Sequence, residues 1–101
     1  MKIPDKLKVG GITYKVIKKN TFKGKDNEFS GLANHKQTTI EIALTHEDEP
    51  YDTQKIEECF IHEILHCIDS VYNNQALEEA VINRLSQGLY QVLKDNNLYG
   101  L

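Results

Sequence analysis

One predicted helix, residues 53–72, constrains this chain more than any other segment. Asp52 or Thr53, shortly after Pro50, can cap its start. At about 100° per residue, apolar side chains cover well over half of its circumference, which is typical of a helix buried in a core. Buried polar groups are costly without partners, so the one polar stripe of this helix must be satisfied. The stripe consists of Glu58, Cys59, His62, Glu63, His66, Asp69 and Ser70.

The polar stripe contains the sequence His62-Glu63-Ile64-Leu65-His66, which has the form H-E-x-x-H. On a helix, histidines four residues apart leave the same face and can bind one zinc ion, while Glu63 lies beside them as a base. The alternative is a pair of solvent-facing histidines on an ordinary helix. Such histidines would not need to be surrounded by so many apolar residues. The pattern therefore predicts that His62 and His66 bind zinc.

A catalytic zinc usually has three protein ligands and keeps its fourth position for water. The third ligand is expected in a second helix, predicted at about residues 76–95, where Glu78 and Glu79 compete for the role. Glu78 falls within an apolar stripe that should face the core, whereas Glu79 is in line with Asn83, which could hydrogen-bond a zinc-bound histidine. Either glutamate can instead be a first-turn residue favoured by the helix dipole. These arguments leave both open. The apolar stripe consists of Leu77, Val81, Ile82, Leu85, Leu89 and Val92.

The first half of the chain predicts a small antiparallel sheet within residues 7–44. Gly10-Gly11 is a hairpin signal, and residues 38–44 alternate between apolar and polar side chains as in a half-buried strand. A polar loop is expected over residues 20–27. Together with the two helices, these strands predict an α+β fold in a single domain over residues 1–101.

Charge and composition limit the classes of binding partner that we expect. Twelve lysines and arginines against 15 aspartates and glutamates give no basic field for nucleic acid and no cationic surface for a membrane. We expect no signal peptide and no membrane span, because no segment has the required apolar run. Cys59 and Cys67 lie on one predicted helix at about 12 Å, too far apart for a disulfide. A reducing cytoplasm is the expected compartment.

The two motif blocks resemble the gluzincin branch of zinc metallopeptidases, in which H-E-x-x-H precedes a glutamate ligand on the next helix. There the glutamate is typically followed by alanine and, four residues on, by an acidic group. Glu79-Ala80 with Asn83 matches, except that asparagine replaces the aspartate; Glu78 would place Ile82 there, so the resemblance favours Glu79. The order of strands, motif helix and glutamate helix is also similar to the catalytic core of ImmA/IrrE-type peptidases of phages and mobile elements. The spacer between the blocks is short.

This resemblance implies a zincin-like fold and a zinc-dependent peptidase that acts on a peptide or protein substrate. His62, His66 and Glu79 would bind Zn²⁺, and Glu63 would be the general base for a zinc-activated water. The alternative is a regulatory or interaction protein of a phage or mobile element that binds zinc but cleaves little, because so short a chain has little wall for specificity pockets. A purely structural zinc site is disfavoured, since it would need a fourth ligand such as Cys59 and no Glu63.

Other residues near the motif carry weaker expectations. His35 and His46 have no partner at metal-binding spacing and are expected to be exposed. Tyr90 is expected to pack in the core or at its rim rather than to stabilise an oxyanion. The strand around residues 31–34 or the one at 38–44 could hold an extended substrate by main-chain pairing.

Overall fold

A computed structural model describes residues 2–20, 31–46 and 49–98. Within these residues the protein is α+β, as predicted, with a four-stranded sheet, a separate two-stranded sheet and two helices. The elements in chain order are β1 (Lys6–Val9), β2 (Ile12–Lys19), β3 (Gly31–Asn34), β4 (Thr39–Ala43), β5 (Thr45–His46), β6 (Glu49–Pro50), α1 (Thr53–Tyr72) and α2 (Glu79–Asp95).

The larger sheet is mixed, so the prediction of an antiparallel sheet is wrong. Its strand order is β1-β2-β4-β3, and β4 runs parallel to β2 while the two outer pairs are antiparallel. Alternation of apolar and polar residues indicates which face a side chain occupies but not the direction of its strand. The hairpin signal is correct, since β1 and β2 are joined at Gly10, whose φ of 61° suits glycine.

Two expectations concern parts outside the described residues. Apart from Asn20, the predicted loop over residues 20–27 lies outside the described residues, and the side chain of His46 also lies outside them.

Helix α1 lies between the sheet and α2. Asp52 caps it by accepting a hydrogen bond from the Gln54 backbone N–H at 2.8 Å. One side of α1 packs on the sheet, where Tyr14, Ile40 and Ile42 are almost fully buried against it. Each such side chain stabilises the fold by roughly 1.5–3 kcal/mol. Neither α1 nor α2, the helices of the described residues, combines the length and apolar character needed to cross a bilayer.

The buried face of α2 differs from the predicted one. Ile82, Ser86 and Tyr90 are buried, whereas Leu85 is 51% exposed and its apolar neighbours on the helix are also largely exposed. The reason is that α1 presents the polar groups of His62 and Glu57 to α2. These groups need polar partners, so α2 is rotated to bring the hydroxyls of Ser86 and Tyr90 to them. The exposed apolar residues of α2 and the residues just before it are Leu77, Leu85, Leu89 and Val92.

Candidate metal centre

Helices α1 and α2 bring His62, His66 and Glu79 together, and we call these three residues the ligand cluster. Glu79 Oε1 lies 2.8 Å from His62 Nε2, and Glu79 Oε2 lies 2.8 Å from His66 Nε2. The two Nε2 atoms are 3.1 Å apart. Glu78, the competing glutamate, is the N-cap residue of α2 and lies outside the cluster.

These distances are slightly shorter than those between the ligands of one zinc ion, so small shifts of the side chains would be needed to admit the ion. Ligand atoms placed about 2.0–2.1 Å from a tetrahedral zinc are roughly 3.3–3.4 Å from one another. The three potential ligand atoms lie within 4.8 Å of one another, and the side chain of Glu79 is 68% exposed, which leaves it room to adjust. Nitrogen and carboxylate oxygen are also donor atoms that zinc prefers.

The hydrogen bonds of Ser86 indicate which nitrogen of His62 is free to bind a metal. Ser86 Oγ donates its single proton to the Asn83 carbonyl at 2.9 Å and lies 3.4 Å from His62 Nδ1. We infer that Nδ1 carries the ring proton and donates to Ser86, so Nε2 presents a lone pair to the other two members of the cluster. Ser86 thus orients His62, the role that the sequence suggested for Asn83.

An unprotonated Nε2 beside a carboxylate oxygen brings two acceptors together, and a cation between them would satisfy both. One divalent ion could be bound by both rings and by the carboxylate of Glu79 at once.

The ligand cluster lies in a cleft of about 530 Å³, bounded by β3 and the turn after it, by α1, and by the start of α2. The residues lining this cleft are Gly31, Leu32, Ala33, His35, Lys55, Glu58, Cys59, His62, Glu63, His66, Glu79 and Asn83.

Glu63 lies in the cleft beside the cluster and is only 6% exposed. Burial, and then the negative charge of Glu79, raise the pKa of Glu63 to about 7, while a hydrogen bond from the Ala33 backbone N–H opposes this shift. A carboxyl group with a pKa near the working pH is well suited to general base catalysis. The H-E-x-x-H spacing predicts this position correctly, because a residue next to a ligand on a helix remains close to it.

Gly31 allows β3 to approach Glu63. A Cβ atom at this position would lie 2.6 Å from Cys59 Sγ and 3.1 Å from Glu63 Oε2, closer than side chains tolerate. Cys59 is buried, as expected for a small apolar residue, and does not belong to the ligand cluster. The sequence gives no signal for the role of Gly31, since it depends on a contact between residues far apart in the chain.

His35 also lines the cleft, contrary to the expectation that it is exposed. Its ring is half-buried, with Nδ1 3.0 Å from the hydroxyl oxygen of Tyr14 and the two rings edge to face at 5.9 Å. Burial, followed by the charge of His66, lowers the pKa of His35. No local pattern could predict this pairing, because the strand order of the sheet creates it.

Two further contacts fix α2 against α1 on either side of the cluster. Tyr90, buried as predicted, donates a hydrogen bond to Glu57 Oε1 at 2.7 Å. At the other end, the buried Asp69 accepts hydrogen bonds from the Leu77 backbone N–H at 3.3 and 3.4 Å. Because Glu79 follows Leu77 by two residues, Asp69 helps to set where Glu79 enters the cleft.

Comparison of the chain with protein-family models, with curated proteins and with solved structures gives no match. The resemblance to gluzincins therefore depends on the two motif blocks, and any proposal about function depends on the geometry of the cleft.

Proposed function

We propose that this protein is a zinc-dependent metallopeptidase of gluzincin type that hydrolyses peptide bonds. The observation that carries the proposal is the approach of His62 Nε2, His66 Nε2 and both carboxylate oxygens of Glu79 to one point, with the buried Glu63 beside them. A structural zinc site would require a fourth protein ligand, and the described residues offer three in the cluster.

The zinc, when bound, would lower the pKa of a water molecule and polarise the carbonyl of the bond to be cleaved. Glu63 would accept a proton from the water and pass it to the leaving amine. His62 would be held in place by Ser86, and the three ligands would leave one side of the site open to the cleft.

Strand β3 is suited to hold the substrate. Within the described residues β3 pairs only with β4, so no second strand covers its other edge, which borders the cleft and where the Ala33 N–H donates to Glu63. An extended peptide can add to such an edge by main-chain hydrogen bonds, which require no particular side chains. We propose a peptide or protein substrate of this kind.

A cytoplasmic location fits the two cysteines. Cys59 and Cys67 are both buried, and burial raises the pKa of Cys67 to about 12. A thiol such as that of Cys67 is unreactive and has no need of an oxidising compartment.

The test is Glu63→Gln, which preserves size and shape but removes the base. Zinc content and melting temperature should remain near those of the wild type, while hydrolysis of unfolded casein or of a peptide library should fall by about 10²–10⁴-fold. Glu78→Gln makes the same chemical change outside the cluster and should retain activity.

Two results would contradict the proposal. Absence of zinc after reconstitution would show that the cluster is not a metal site. Equal inactivity of the wild type and Glu63→Gln across the library, with zinc bound in both, would favour the alternative of a regulatory protein that binds zinc without cleaving.

A further inference from the structure

We propose that His35 is a substrate-contacting residue that donates its Nε2–H to the carbonyl oxygen of the bond being cleaved, and that Tyr14 holds its ring in place. This inference rests on the proposed peptidase function. It places a hydrogen-bond donor on the β3 side of the cleft. This donor would stabilise the negative charge that develops on the carbonyl oxygen.

His35 lies at the cleft that contains the ligand cluster. It lies in the turn between β3 and β4, directly after the strand whose free edge borders the cleft, and its side chain lines the cleft together with Glu63 and His66. Yet it does not belong to the ligand cluster, so the group is available to a substrate rather than to the metal.

The proton on the Tyr14 hydroxyl decides which nitrogen of His35 is the donor. Tyr14 is 1% exposed, and its hydroxyl hydrogen-bonds His35 Nδ1, Ser70 and Cys67. The hydroxyl has a single proton, which can go to the imidazole nitrogen, to the serine oxygen or to the sulfur atom.

Imidazole nitrogen is the strongest acceptor of these, since thiol sulfur accepts hydrogen bonds only weakly. We therefore assign the tyrosine proton to the 3.0 Å contact with His35 Nδ1, which places the ring proton of neutral His35 on Nε2. The edge-to-face packing of the two rings, with an interplanar angle of 88°, fixes the ring plane as well as the tautomer. A donor held in this way needs no reorganisation when charge develops on the substrate.

Kinetics of zinc-loaded variants test the role of His35. His35→Ala should retain zinc and lower kcat by about 10²–10³-fold with little change in KM, the usual effect of losing one donor to a developing oxyanion. His35→Gln retains an N–H near the Nε2 position and should recover part of kcat. Lys36→Ala, an exposed neighbour in the same turn, is the matched control and should behave as wild type.

The role of Tyr14 is tested by Tyr14→Phe in two backgrounds. Alone it should lower kcat, and ¹⁵N NMR should show the Nε2–H form of His35 in the wild type changing to a mixture of both tautomers. In the His35→Ala background it should have no further effect on kcat, because Tyr14 acts through His35. A purely structural role would instead give additive losses.

The outcomes separate this inference from the proposed function. An active wild type whose kcat is unchanged by His35→Ala, or a wild-type His35 that carries its proton on Nδ1, would overturn the role of His35 alone. A zinc-loaded wild type that cleaves nothing would overturn the peptidase function and the role of His35 with it.

Discussion

Burial of Glu63 predicts that the metal-free protein loses stability as the pH rises toward neutrality. In the unfolded chain this carboxyl group loses its proton near its ordinary pKa of 4.5, whereas in the folded protein its pKa is raised to about 7. Between these values the folded state binds more protons, so raising the pH favours unfolding. At 1.36 kcal/mol per pH unit, the free energy of unfolding should fall by roughly 3 kcal/mol. This is a large part of the stability of a small domain.

Urea denaturation of wild type and Glu63→Gln in the presence of a chelator, from pH 4.5 to 8, measures this effect. Both proteins retain His62, His66 and Glu79, so the difference between their curves isolates Glu63. Bound zinc places positive charge beside Glu63 and lowers its pKa, so zinc should reduce the difference. Parallel curves in the metal-free proteins would show that Glu63 is already ionised at low pH, and would refute the argument that burial prepares it as a base.

Three further substitutions probe how the site is held together. Glu79→Ala should abolish tight zinc binding, measured by competition with a chromogenic chelator, because it removes one of three ligands. Ser86→Ala should weaken zinc binding by about 10–100-fold in the same assay, because it removes the group that orients His62. Gly31→Ala should lower the free energy of unfolding by about 1–3 kcal/mol in urea and reduce peptidase activity, because the added Cβ overlaps Cys59 Sγ.

Each of these substitutions has a control. Glu78→Ala should leave zinc affinity unchanged, and an equal loss in both glutamate variants would contradict the ligand assignment. Ser86→Thr retains the hydroxyl and should bind zinc more tightly than Ser86→Ala; no difference would show that the hydroxyl is not needed. Gly11→Ala adds a Cβ where no atom lies within 4 Å, so a similar loss there would mean that the effect of Gly31→Ala is not steric.

The sequence predicts the part of the site that depends on local geometry. His62, Glu63 and His66 share one helix, and their relative positions follow from a spacing of four residues on a helix of known pitch. The apolar residues around them correctly indicate that this helix is buried. The α+β class also follows from local patterns, since strand-like alternation precedes two segments of helical periodicity.

Glu79 could not be selected by periodicity because that argument assumed that a helix buries its most apolar face. The rule fails for α2, which packs against His62 and Glu57 of α1 and buries Ser86 and Tyr90 while Leu85 and Leu89 remain exposed. The resemblance to gluzincins favoured Glu79, and the structure brings this residue to both histidines. Hydrophobic pattern alone misplaces a helix when the surface it faces carries functional polar groups.

The direction of β4 and the position of His35 could not be predicted for a different reason. Both depend on strand order, which joins residues far apart in the chain. Tyr14 and His35 are 21 residues apart and meet only because β2 and the β3–β4 turn belong to one sheet with β4 between β2 and β3. Alternation along one strand contains no information about which strand lies beside it.

The packing of α2 explains why metal and fold should be coupled in this protein. The α1–α2 interface is tied by polar contacts at three levels: Tyr90 with Glu57, Ser86 with His62, and the Leu77 backbone with Asp69. Polar contacts of this kind contribute less net stability than burial of the same area of apolar surface. A chain of this size buries only about two thirds of its unfolded surface. A metal shared by His62 and His66 of α1 and Glu79 of α2 would join the two helices at the middle level. Its binding energy would then contribute to folding at this partly polar interface.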